Sequence, residues 1–277
     1  MTDKDFDQLH YVDFSNFLEQ ACGIVLGDNK QYLVRSRLTP LIKRFSCVSI
    51  NAYIDSVVKG NRQHQKAAIE AMTTNETLWF RDDYPFKLLE STLLKQFSSN
   101  NKRFRIWSAA CSSGQEAYSV AMTILNFKKQ QPNSFRSGVE IVGTDISEEM
   151  LQQCRTAEYD QLAISRGLPE HFKSDFFEPA DNDKLRLKSQ VRALTTFKSI
   201  NLLESYSSVG KFDIVFCRNV LIYFSPEVKK LILQKIAASL QDDGILFLGA
   251  SESLSGLSDK FTMVRCSPGL YYLKKPL

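Results

Sequence analysis

The chain has 277 residues, 43% hydrophobic and 24% charged, with a net charge of +4. That length allows one large domain or a large and a small one, and the weak basic excess argues for no nucleic-acid partner. Six scattered cysteines without a Cys-x-x-Cys pair, three distant histidines (His10, His64, His171), an acidic N-terminus without a signal core and the lack of any long apolar run exclude a disulfide framework, a zinc site and membrane insertion, and predict a cytoplasmic protein.

Residues from Asp13 to Met72 read as an all-helical domain, 1–72. Phe14, Phe17, Leu18 and Ala21 fall at helical spacing before Gly23, and Gln31 to Phe45 repeats the pattern around Pro40, where a kink or break is expected. Ser49 caps Ile50 to Lys59, stopped by Gly60, and Gln63 to Met72 forms the fourth helix. Lys30, Arg35, Arg37, Lys43 and Arg44 lie in a stretch, Asn29 to Ile54, without an acidic residue. Such a run is either a solvated helix face or a docking surface, and without interleaved aromatics it suits an acidic helix better than phosphates.

A linker, 73–83, reads Thr73-Thr-Asn-Glu-Thr-Leu-Trp-Phe-Arg81-Asp-Asp. Its Trp79 and Phe80 are expected to pack at the domain junction, with Asn75, Thr77 and Arg81 facing a cleft. From Tyr84 to the end, 84–277, helix and strand alternate. The predicted elements are a helix Tyr84 to Phe97, strand Phe104 to Ala109, helix Gly114 to Lys128, strand Val139 to Thr144, and a helix capped by Ser147. An irregular insertion at about 158–198 follows, containing the alternating Lys184-Leu-Arg-Leu-Lys188. Then come strand Val191 to Ile200, strand Lys211 to Cys217, helix Pro226 to Leu240, a turn at Asp243-Gly244, strand Ile245 to Ala250, and a hairpin through Ser267-Pro-Gly. Alternation closed by an antiparallel hairpin predicts a doubly wound, mostly parallel α/β sheet. Its crossovers bring Gly114, Glu116, Asp145, Asn219 and Tyr223 to one edge.

Two features of that edge point to a ligand. Ala109 to Gly114 is a turn of small residues opening a helix, so backbone N–H groups can meet an electron-rich group. Asp145 ends the second strand, where a carboxylate can accept both hydroxyls of a ribose. The turn has one glycine where a pyrophosphate site wants three, and Glu116 would repel phosphate and suit a cationic amine. S-adenosylmethionine combines ribose, cationic amine and no phosphate. On the turn alone, an ordinary strand-turn-helix without ligand remains equally open.

Five stretches, Thr73 to Arg81, Ala109-Ala-Cys-Ser-Ser-Gly-Gln-Glu-Ala-Tyr118, Gly143-Thr-Asp-Ile146, Asn201-Leu-Leu-Glu204 and Phe216-Cys-Arg-Asn-Val-Leu-Ile-Tyr-Phe224, resemble the CheR-type chemotaxis receptor glutamate methyltransferases in content and order. The resemblance implies the seven-stranded methyltransferase sheet and methyl transfer from S-adenosylmethionine to receptor glutamates, leaving S-adenosylhomocysteine, without a metal. It assigns Asn75, Thr77, Arg81, Glu116, Asp145, Asn201, Leu202, Arg218 and Asn219 to the cofactor pocket, and Arg81 and Tyr223 to the transferred methyl. Its expected partner is the cytoplasmic helical domain of a chemoreceptor, met by the basic helix with Arg35 and Arg37 of a monomer. Members that tether to a receptor pentapeptide have a glycine-rich loop in the insertion; Gly167 is the one glycine between Glu158 and Lys198, so docking without that tether is expected. Rival readings are a methyltransferase of another protein, RNA or a small molecule, and a non-catalytic module that binds the cofactor as a signal. A nicotinamide dehydrogenase is disfavoured by the missing glycines.

Overall fold

A computed structural model describes residues 6–99 and 101–276. They form two compact units, one running up to Thr74 and including Tyr223–Val228, the other comprising the described residues of 75–222 and from Lys229 onward.

The smaller unit contains α1 (Gln8–Cys22), α2 (Gln31–Arg44), α3 (Ile50–Val58) and α4 (Arg62–Met72). Tyr11, Phe14, Leu18 and Cys22 of α1 are buried, the three- and four-residue spacing that puts one helical face inward. They meet Val34, Leu38, Tyr53, Ile54, Val57 and Ala68 in the unit's core. Helix α1 starts five residues before the expected Asp13, because Asp7 caps it by accepting the His10 N–H at 2.9 Å. Gly23 ends it at φ 79°. Of the kink or break expected at Pro40, the break does not occur, since α2 runs through it. The carbonyl deprived of its helical donor belongs to Ser36, which is exposed, so water can satisfy it.

The larger unit is built on a seven-stranded sheet. Its strands are β1 (Phe104–Ala109), β2 (Val139–Asp145), β3 (Thr195–Ser199), β4 (Phe212–Cys217), β5 (Leu240–Phe247), β6 (Phe261–Cys266) and β7 (Gly269–Lys274). The spatial order is β3-β2-β1-β4-β5-β7-β6. The first five are parallel, and β7 runs antiparallel to both neighbours. The doubly wound α/β class expected from the alternation is therefore present. In β1 and β4 all but one residue are buried, as expected for strands covered on both faces. Helices α5 (Tyr84–Phe97, with a π turn over Leu89–Leu93), α6 (Gln115–Gln130) and α7 (Glu148–Thr156) supply that cover.

Three expectations are corrected. Val191 lies in a helical turn, Ser189–Arg192, and the strand begins at Thr195. A turn there points both Val191 and Leu194 at the core, which the extended reading could not do. Asp243-Gly244 is not a turn before a strand but part of β5. The register jumps from Phe212–Leu240 to Ile214–Ile245, and Asp243 takes φ 59° in the bulge. Trp79 and Phe80 pack inside the larger unit. Trp79 is fully buried, edge-on to Tyr159 and Phe177, and its indole N–H donates to the Ala163 carbonyl at 3.1 Å. The insertion thus forms part of their wall. It folds as a three-stranded antiparallel sheet of Glu158–Tyr159, Leu185–Leu187 and Phe177–Pro179, with Leu185–Leu187 central.

Candidate cofactor and active site

The reversal of strand order between β1 and β4 opens a crevice at the carboxyl ends of the strands, where open α/β sheets bind ligands. The β1–α6 loop turns there by alternating left-handed residues, Ala110 (φ 60°), Ser112 (φ 50°) and Gly114 (φ 96°). Gly114 fits because a Cβ in that conformation would be strained and would sit 3.0 Å from the Cys154 sulfur. It precedes α6 and gives it no side-chain cap, so the first N–H groups of α6 are not satisfied in that way.

Asp145, 6% exposed, closes β2. The Ser112 N–H donates to its Oδ2 at 2.8 Å and the Ser147 N–H to its Oδ1 at 2.9 Å. Two backbone donors from different loops fix the orientation of the carboxylate. The Ile200 N–H, donating to the Asp145 carbonyl at 3.1 Å, brings the end of β3 alongside. There the Leu203 N–H donates to Asn201 Oδ1 at 3.0 Å, and buried Leu202 accepts the Tyr206 hydroxyl on its carbonyl at 2.6 Å. Lys235 holds the same loop by donating to the Leu203 and Glu204 carbonyls.

A second group centres on Arg218, just past β4, whose side chain is 1% exposed. Its Nη1 donates to Glu116 Oε2 at 2.8 Å, and its Nη2 to Asp82 Oδ2 at 2.9 Å and to the Arg81 carbonyl at 2.6 Å. The Ser108 hydroxyl donates to the other Glu116 oxygen at 2.7 Å. One buried cation faces two carboxylates, so the ionised cluster carries a net negative charge that favours a cationic ligand group. Glu116, expected to suit a cationic amine, is part of this network.

The Asn75 carbonyl accepts the Ser112 hydroxyl at 2.8 Å, tying its segment to the β1–α6 loop. Thr77 and Arg81 are half-buried nearby in sequence, and Arg81 donates to the Glu76 carbonyl at 3.0 Å. Asn219 is left-handed (φ 57°), and its N–H donates to Glu252 Oε2 at 2.7 Å. Tyr223 is grouped with the helical unit, where its carbonyl accepts the Val25 N–H at 3.0 Å. Of the five residues expected at one edge, Gly114, Glu116, Asp145 and Asn219 lie together in the larger unit. Asp82, Ser108, Ser112 and Glu252 were not singled out in the sequence. Asp82 adjoined a motif that carried the signal, and Glu252 could have been found as the acidic residue following β5 on the same edge.

Burial pushes the Cys111 and Cys217 thiols well above their ordinary range, so both stay protonated and neither is a candidate nucleophile. Among the described residues no group of three or more His, Cys, Asp or Glu could hold a metal ion, and no helix is long and apolar enough to cross a membrane.

A doubly wound sheet with an antiparallel seventh strand and a ligand crevice at its switch point defines the class: a Rossmann-like domain of the S-adenosylmethionine-dependent methyltransferase type. Residues 9–73 match the family described as "CheR methyltransferase, all-alpha domain" and residues 75–270 the one described as "CheR methyltransferase, SAM binding domain". The chain belongs to the CheR methyltransferase family. It is 53% identical over 276 residues to the chemotaxis protein methyltransferase of Vibrio parahaemolyticus and 54% identical over 276 residues to chemotaxis protein methyltransferase 1 of Vibrio cholerae, in each case across 99% of this chain and 100% of the relative. It is 49% identical to chemotaxis protein methyltransferase Cher2 of Pseudomonas putida, covering 96% of this chain and 98% of that one. Magnesium protoporphyrin IX methyltransferase from Synechocystis PCC 6803, solved with bound SAM, aligns with a TM-score of 0.40 and 15% identity over 90% of this chain and 99% of that one.

Proposed function

We propose that the protein transfers the methyl group of S-adenosylmethionine to glutamate side chains on the cytoplasmic helices of methyl-accepting chemotaxis receptors, giving glutamyl methyl esters. The observation that carries this reading is the end-to-end match, 53% over 99% of the chain, to a chemotaxis protein methyltransferase.

The residues present suit that cofactor. A buried carboxylate held by two N–H groups ends β2, and the negative cluster around Arg218 suits a cationic ligand rather than a pyrophosphate. Asp145 receives the ribose hydroxyls, and Glu116, with the charge of its cluster, favours the methionine amino group. Arg81 supplies positive charge to a carboxylate, of cofactor or substrate. Asn75, Thr77, Asn201, Leu202, Arg218 and Asn219 complete the pocket, and the Tyr223 hydroxyl orients the incoming oxygen or the methyl.

When bound, the cofactor supplies a methyl on a sulfonium, which a glutamate oxygen takes by in-line displacement as the carbon–sulfur bond breaks. A glutamate of pKa ~4.3 is already ionised at neutral pH, so no residue of this chain need remove a proton. The protein's contribution is positioning and exclusion of water, which in good cases lowers a barrier by roughly 7–11 kcal/mol.

The receptor helix is met by α2, without a pentapeptide tether and on the cytoplasmic side of the membrane. Arg37 is not available for it. Its guanidinium donates to the Met72 and Thr73 carbonyls at 2.7 Å each and to the Thr74 hydroxyl at 3.0 Å. The docking reading for α2 keeps Arg35, as expected from the basic run, and adds the exposed Lys43 of the same helix.

The test is methyl transfer from radiolabelled S-adenosylmethionine with receptor-containing membranes. Base-labile label on the receptor band is expected. Label that resists base, or that appears on RNA or a small molecule, overturns the reading.

A further inference from the structure

We propose that Glu252 is a positioning residue of the cofactor site, setting the backbone of the Arg218–Asn219 turn through its carboxylate. The inference rests on the reading that this turn holds the cofactor. Glu252 lies in the loop after β5 and touches two loops at once. Its Oε2 accepts the Asn219 N–H at 2.7 Å and the Gly249 N–H at 2.8 Å, while its own N–H donates to the Gly249 carbonyl at 2.9 Å. One oxygen thus joins the end of β4 to the end of β5.

The joint is tight. A Cβ on Gly249 would lie 2.6 Å from Asn219 Nδ2 and 2.8 Å from Glu252 Oε2. The Asn219 side chain therefore rests on bare backbone, and a larger residue at 249 would have to push Asn219 or Glu252 aside. Asn219 is also left-handed, a conformation that asparagine tolerates better than most residues and that its neighbours can hold in place. The acceptor on its N–H and the contact with Gly249 do so. Arg218 is the adjacent residue and aims its guanidinium at Glu116 and Asp82, so a shift of the turn moves both neighbours of the pocket. The second Glu252 oxygen, Oε1, is buried without a hydrogen-bond partner. A buried carboxylate oxygen in that condition is costly unless a donor reaches it.

The experiment compares Glu252→Ala and Glu252→Gln in the full chain, by calorimetric titration of S-adenosylhomocysteine and by kinetics with receptor membranes. Glu252→Ala leaves two N–H groups without an acceptor, and a loss of affinity of about tenfold or more is expected. KM for S-adenosylmethionine should rise in parallel, with kcat changed by less than about threefold. Glutamine keeps an acceptor oxygen and should stay within about threefold of the parent. A folded Glu252→Ala with unchanged affinity overturns the proposal, as does equal loss in both variants, which would make the charge and not the hydrogen bonds responsible. Should the alanine variant not fold, Glu252→Asp, one methylene short of the turn, replaces it under the same criteria. Asp145→Ala is titrated alongside. If it loses affinity and Glu252→Ala does not, only the present inference fails; if neither does, the pocket itself has been misplaced.

Discussion

Arg218 illustrates how the site is held together residue by residue. Its buried guanidinium binds Glu116 and Asp82, stands 5.8 Å from the centre of the Phe86 ring, and leaves Nε without a partner. Breaking such a buried ion pair from one side strands charge, which typically costs about 3–5 kcal/mol. The residue therefore supports the fold as much as any ligand. The cysteines show the opposite behaviour, inert by burial. Desolvation raises Cys22 to about 11 and holds Cys111 and Cys217 well above the usual thiol range. At pH 8 these groups remain thiols in the folded state. Mass-spectrometric alkylation of the native protein should label half-buried Cys47 and Cys266 first, and Cys22, Cys111, Cys154 and Cys217 only on unfolding. Rapid native labelling of Cys111 or Cys217 would contradict the closed β1–α6 loop described here. At this scale the placement of Asp145 at the end of β2 and of Glu116 in the first turn of α6 was legible from the strand-turn-helix pattern. Glu252 and Asp82 were not, because their partners, the Asn219 N–H and the Arg218 guanidinium, are brought near only by tertiary structure.

Among the elements, α2 carries the clearest division of labour. Arg35 and Arg37 look alike in sequence, yet the Arg37 guanidinium collects the last carbonyls of α4, which have no helical donors of their own. Arg37→Ala should therefore lower stability by about 1–3 kcal/mol, the usual worth of hydrogen bonds from a charged donor, seen as a lower denaturant midpoint. Arg35→Glu should slow methylation of receptor membranes. If Arg35→Glu slows transfer to a free peptide just as much, the docking assignment to α2 is wrong. Helical spacing, Ser49, Gly23 and Gly60 made the ends of these helices readable. The path through Pro40, the helical turn at Val191 and the bulge in β5 were hidden, because each depends on which carbonyl can reach water or which side chain the core will take.

On the scale of the molecule, the sheet order places the loops after β1, β2, β4 and β5 along one edge, so one crevice can draw side chains from stretches far apart in sequence. Alternation of helix and strand announced this arrangement before any coordinates, as did the motif order. Ligand binding should stabilise the larger unit by mass action, about 2.7 kcal/mol at a hundredfold excess over Kd. S-adenosylhomocysteine should thus raise the melting temperature of the parent protein, and raise it far less in Asp145→Ala. An equal rise in both would remove Asp145 from the pocket.

Phe80, Asp82, Asp83, Ala110, Ser112 and Asn219 all hold positive φ, between 50° and 64°, and all lie in the segments that meet at Arg218 and Asp145. A left-handed residue other than glycine costs on the order of 1 kcal/mol. Glycine at Ala110 would relieve that tension while letting the loop wander and loosening its hold on whatever lies against it, whereas glycine at Ser112 would also give up the hydroxyl bond to Asn75. Ala110→Gly should accordingly melt higher yet hold S-adenosylhomocysteine more weakly, a hardier but blunter enzyme.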